Sequence, residues 1–126
     1  MRSKHDLLTE KEVSSFELDP NLLKVINRYK SENPNLKSEN IRILDWGCGR
    51  GKAVLKLLKM GYSAYGVEID NKVLRKANSV FKANGFDPNK RLLLLDEIKS
   101  NSENFFDIIF SEQVFEHVKD LDSVIK

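Results

Sequence analysis

Cysteine is almost missing from this chain: Cys48 is the only one in 126 residues. A single cysteine excludes an intramolecular disulfide and any cysteine-based metal cluster. Histidine is as scarce, with only the distant pair His5 and His117, so a protein-only zinc site is not expected. No apolar run approaches the roughly 20 residues that span a membrane, and the N-terminus lacks the apolar core of a signal peptide. The expectation is a cytoplasmic protein without a membrane partner. A charge excess is lacking too, since 21 Lys and Arg stand against 19 Asp and Glu for a formal net charge of +2. Lysines scattered in this way read as a solvated surface, so nucleic acid is not an expected partner. Internal repeats and low-complexity tracts are absent.

What remains is an ordinary globular composition, 40% hydrophobic and 32% charged, in one domain with enough chain for a core. Residues 1–18 are polar without a sustained period and read as a mobile arm. Asp19-Pro20 supplies a helix cap followed by proline at the first helical position, and Leu22, Leu23, Ile26 and Tyr29 continue at helical spacing. That arm and cap helix occupy residues 1–40. From 41 onward, apolar runs alternate with helical patterns. Strands are expected at Ile41–Trp46, Tyr62–Ile69, Arg91–Leu95 and Phe105–Phe110. Helices are expected from Gly51 to Lys59, from Asp70 to Gly85, and beyond the fourth strand through Val114, Phe115, Val118 and Leu121. Phe86–Lys90 reads as a turn. Strand-helix alternation implies right-handed crossovers and an α/β fold with a parallel sheet and flanking helices.

The most informative stretch is Ile41-Arg42-Ile43-Leu44-Asp45-Trp46-Gly47-Cys48-Gly49-Arg50-Gly51. A short apolar run ends in a carboxylate, and three glycines follow at every second position. Glycine allows positive φ and lets another molecule approach where a Cβ would stand. A strand emptying through such a loop into a helix offers backbone N–H groups to a small polar ligand. The dinucleotide fingerprint wants its third glycine three positions after the second, where this chain has Lys52. A carboxylate at Asp45 repels a pyrophosphate and suits an ammonium or sulfonium charge. Cys48 reads as a small loop residue, with no base beside it to activate a thiolate.

These residues resemble the first motif of the class I S-adenosylmethionine-dependent methyltransferases, hydrophobic-Asp-x-Gly-x-Gly-x-Gly. The resemblance covers residues 41–126 and implies a Rossmann-like sheet, here incomplete after its fourth strand, with S-adenosyl-L-methionine as cofactor. It assigns Asp45, Gly47, Cys48, Gly49 and Gly51 to the cofactor loop. It assigns Glu68, 17 positions beyond Gly51, to the ribose diol, which a carboxylate can grip through two hydrogen bonds. Ile69 would pack on the adenine, Asp96 would accept from its amino group, and Glu97 and Ile98 would line the ring. The fourth strand and its sequel, from Phe106-Asp107 to Glu116-His117-Val118, resemble the branch acting on small molecules. By that likeness Ser111, Glu112 and Gln113 lie beside the methionine moiety. Asp107, at the opposite end of that strand, reads as structural, and His117 reads as packing or capping rather than as a base. No catalytic residue is assigned.

Methyl transfer to a small-molecule acceptor is therefore the leading expectation. A binding module without activity of its own is the second, because complete members of this fold carry three more strands. Self-association or a C-terminal half would then cover the open edge of the sheet. A nicotinamide dehydrogenase has the wrong glycine spacing, and aminopropyl transfer is a lesser alternative.

Overall fold

The computed structural model describes residues 7–99 and 104–111, and its first element overturns an expectation. Helix α1 spans Glu10–Ser15. The Thr9 hydroxyl accepts from the Glu12 N–H at 3.1 Å, and the Glu12 carboxylate accepts in return from the Thr9 N–H at 3.3 Å. This capping box satisfies two donors that a helix start leaves open. Leu8, Val13 and Leu18 are buried in the main core. Over residues 7–18 the expected mobile arm is thus a packed segment. Its helix is too short to show a hydrophobic period, which is why composition alone concealed it.

Helix α2, Pro20–Glu32, starts as its sequence dictates: the Asp19 carboxylate accepts from the Asn21 N–H at 2.8 Å, and proline follows the cap. Leu22 and Ile26 face the core. A 3-10 turn at Ser38–Asn40 leads into strand β1, Arg42–Trp46. Helix α3, Lys52–Lys59, and strand β2, Ser63–Glu68, follow. The single helix expected between Asp70 and Gly85 is two, α4 at Asn71–Arg75 and α5 at Asn78–Ala83. At the break the Lys76 carbonyl accepts from the Leu8 N–H at 3.0 Å. The apolar period runs on across it through Leu74, Ala77, Val80 and Phe81, all buried, so periodicity could not reveal the interruption.

The turn expected at Phe86–Lys90 holds helix α6, Pro88–Arg91, with Asp87 capping the Asn89 N–H at 2.9 Å. The Asp-Pro signal at its start is the one that opens α2. Strand β3, Leu92–Leu94, helix α7, Leu95–Lys99, and strand β4, Ile108–Phe110, complete the described chain. Both strands are shorter than expected. The helix expected after β4 lies outside the described residues.

The four strands form one parallel sheet in the order β3-β2-β1-β4, the Rossmann-like arrangement with flanking helices. Side chains alternate across it. Ile43, Ala64, Leu92 and Ile108 join the main core, with Leu55 and Leu57 of α3 and Phe81 of α5. Leu44 and Val67 point the other way and join Ile98 of α7. At the amino end of the strands Asp107 acts as a staple. Its carboxylate accepts from the Tyr29 hydroxyl at 2.9 Å and the Arg42 N–H at 2.8 Å, tying α2 and β1 to β4. That leaves the carboxyl ends of the strands, where ligands bind in open parallel sheets, as the place to look for chemistry.

Candidate functional site

Strand β1 delivers the chain into the glycine loop at the carboxyl edge of the sheet. Gly47, Gly49 and Gly51 have φ of 76°, 59° and 81°, a left-handed conformation that side chains strain to adopt. A Cβ on Gly51 would also lie 2.9 Å from Leu92 and 3.3 Å from Phe81. The loop's amides do not simply face outward, as the motif suggested. The Gly47 and Cys48 N–H groups both donate to the Val67 carbonyl, at 2.8 and 3.0 Å, and the Gly51 N–H donates to the Cys48 carbonyl at 2.9 Å. Parallel pairing sets Trp46 beside Val67, which brings that carbonyl against the start of the loop.

The Gly49 N–H turns to Glu68, whose carboxylate accepts it at 2.9 Å. The other Glu68 oxygen accepts from the Ile69 and Asp70 N–H groups at 3.2 and 3.4 Å. Glu68 therefore sits at the end of β2, against the glycine loop, with its charge spread over backbone donors. Asp45 is buried in β1, and Ile69 is 76% exposed at the exit of β2. Cys48 is buried, and burial pushes its thiol well above the ordinary range, with the negative charges of Asp45 and Glu68 adding to the effect. A thiol so held stays protonated and is no nucleophile.

Sequence reasoning passed over Gly66. A Cβ there would stand 2.6 Å from both Cβ and Sγ of Cys48 and 2.9 Å from Val54. The loop lies on β2 at this point, and only glycine admits it. A glycine inside a strand is a signal for close backbone approach, and it could have found this residue.

Asp96 does not end the third strand as expected. It lies, exposed, in the first turn of α7, because β3 stops at Leu94. Glu97 follows it and accepts from the Leu94 N–H at 2.8 Å, while Ile98 is buried against Leu44 and Val67. Ser111 is buried just past β4. Glu112, Gln113 and His117 lie outside the described residues. Trp46 packs against the smaller cluster.

A cavity of about 440 Å³ opens beside β3, with Asn71, Arg75, Asn78, Asn89, Leu94 and Glu97 in its walls. Of these only Glu97 was expected at a site. Among the described residues no group of three His, Cys, Asp or Glu could hold a metal, and no helix is long and apolar enough to cross a membrane.

The chain is similar to known proteins. A family model described as a methyltransferase domain matches residues 37–126. The ubiquinone biosynthesis O-methyltransferase of Pelagibacter ubique is 28% identical over 102 residues, which cover 81% of this chain and 42% of that protein. The mitochondrial enzyme of the same name from Homo sapiens is 30% identical over 112 residues, covering 84% of this chain and 29% of that one. The chain thus spans less than half the length of these curated relatives. Among solved structures, magnesium protoporphyrin IX methyltransferase from Synechocystis PCC 6803 with bound SAH aligns with a TM-score of 0.54 at 13% identity, covering 91% of this chain and 58% of that one. At that identity the likeness concerns the fold.

Proposed function

The chain belongs to the methyltransferase-domain family, and from that premise we propose that it binds S-adenosyl-L-methionine at the glycine loop for methyl transfer to a small-molecule acceptor. The observation that carries this reading is the 2.9 Å bond from the Gly49 N–H to Glu68. It unites a left-handed glycine cradle with a carboxylate at the end of the neighbouring strand, an acceptor for the ribose diol and a negative charge beside a cationic methionine tail. Glu68 holds the ribose in this proposal, and Asp45 supplies negative charge for the ammonium. Ile69, exposed at the exit of β2, offers an apolar face to the adenine, with Asp96 and Glu97 at the exit of β3. Ser111 borders the methionine end, where Glu112 and Gln113 belong by motif.

The cofactor brings a methyl group already activated on a sulfonium, so the protein's work is to orient, desolvate and align. This accounts for a site rich in binding groups and without an assigned base. Cytoplasmic residence is part of the proposal. So is a partner for the outer edge of β4, either a further segment or a second copy, because among the described residues no strand pairs with that edge and an open edge is usually covered.

Calorimetric titration tests the reading. S-adenosylhomocysteine should bind and NADH should not, and the reverse result would end it. Glu68→Ala should weaken the binding by about 1–3 kcal/mol, the range for stranding polar groups. A chain that takes up S-adenosylhomocysteine but methylates no small acceptor would leave the binding-module reading in place.

A further inference from the structure

The N-terminal segment is tied to the glycine loop by one side chain of that loop. Arg50, between Gly49 and Gly51, reaches out to α1. Its two terminal nitrogens donate to the two Glu12 oxygens at 3.1 and 2.6 Å, and one of them also donates to the Leu7 carbonyl at 3.2 Å. A planar guanidinium gripping a carboxylate through parallel bonds fixes orientation as well as distance. The pair is half-sheltered, with the Arg50 side chain 25% and the Glu12 side chain 36% exposed.

Glu12 is itself held on both sides. Its carboxylate closes the Thr9 capping box. The helix it belongs to is seated by Val13 in the core and by Lys56 of α3, which donates to the Val13 and Ser14 carbonyls at 3.3 and 3.1 Å. The glycines on either side of Arg50 have no side chains to lock them. A loop with three residues at positive φ costs entropy to order, because glycine has more freedom to lose than any other residue. An anchored carboxylate that grips the one long side chain between them adds a side-chain restraint to the hydrogen bonds of the loop's amides.

We infer that Glu12 is a positioning residue that acts through Arg50 to hold the glycine loop in its ligand-ready conformation. The inference rests on the loop being the cofactor site, and its test separates the two claims. Glu10 is the natural control. It lies on the same helix and binds Lys59 at 3.3 Å and Asn84 at 2.6 Å, away from the loop. Hydrogen exchange on the unliganded full chain should show the Gly49, Arg50 and Gly51 amides opening about tenfold faster in Glu12→Ala, with strand amides such as Leu44 unchanged. Glu10→Ala should leave the loop amides as they are. In calorimetry Glu12→Ala should weaken S-adenosylhomocysteine binding about fivefold, and adding Glu12→Ala to Arg50→Ala should cost nothing more, as for two residues acting as one unit. Glu12→Gln, which keeps hydrogen-bonding oxygen, should fall between. Unchanged loop exchange in Glu12→Ala would overturn the inference, as would equal acceleration in Glu10→Ala. If the native chain takes up no S-adenosylhomocysteine, the cofactor reading falls and the exchange result alone decides the clamp.

Discussion

One face of the sheet buries Ile43, Ala64, Leu92 and Ile108 with side chains from α1, α2, α3 and α5. The other buries only Leu44, Val67 and Ile98 among the described residues and is finished by half-buried Trp46, Tyr65 and Phe106. The first face uses a missing side chain where it matters: Gly66 lets Cys48 of the loop and Val54 of α3 come close to β2. The second uses large rings, and Tyr65, Phe105 and Phe106 meet edge to face at 4.9 to 5.6 Å. Close approach defines a loop conformation, whereas bulky rings fill space without fixing a backbone. The candidate site accordingly hangs from the tightly packed face.

That contrast can be broken in several ways. The largest loss should come from Phe81→Ala, which empties a fully buried site touching the space at Gly51. It should cost about 3–5 kcal/mol in denaturant unfolding. Next is Gly66→Ala. Overpacking against Cys48 should cost about 1–3 kcal/mol and weaken S-adenosylhomocysteine binding, because the loop must move. An unshifted thermal midpoint with native affinity would mean that the loop does not rest on β2. On the other face, Tyr65→Leu should cost only about 0.5–1.5 kcal/mol, the worth of its ring contacts beyond burial. A loss as large as that at Phe81 would erase the difference between the faces.

The smallest effect should be a pH dependence confined to the packed side. The Arg50 hydrogen bond holds the Glu12 carboxyl below its ordinary 4.5, outweighing partial burial. A folded-state value below the unfolded one means that the ionised pair stabilises at pH above about 4.5 and loses that contribution as the pH falls through the folded value. Solvent screening keeps the amount small at this exposure. Unfolding midpoints measured between neutral pH and pH 3 should fall less steeply in Glu12→Gln than in the native chain. Parallel curves would show that the pair contributes nothing to stability.

Much of the architecture is legible in the sequence. Asp19-Pro20 marked α2, the apolar runs marked all four strands, and Asp107 was separated from the site by its place at the far end of β4. The misses have a common cause. Helix α1 is short and held by contacts with α3, the break between α4 and α5 follows a carbonyl turned toward Leu8, and β3 gives way to α7 before Asp96. The first two depend on residues far away in the chain, and α7 buries Ile98 against the distant Leu44 and Val67, where local patterns carry no information. Only α6 and Gly66 left a local trace, the Asp-Pro pair and a glycine inside a strand.

By itself the sequence determined that the chain turns from strand to helix through glycines at 47, 49 and 51, since few other residues tolerate such φ. It also placed a carboxylate, Glu68, near the end of the second expected strand, Tyr62–Ile69, one residue before that strand's expected end. Tertiary structure decided which way the loop's donors point. Parallel register set the Val67 carbonyl against Gly47 and Cys48 and left the Gly49 N–H for Glu68. It also decided that a helix 38 residues earlier in the chain holds the loop's arginine, because hydrogen bonds form between groups that folding brings together, however far apart they lie in sequence.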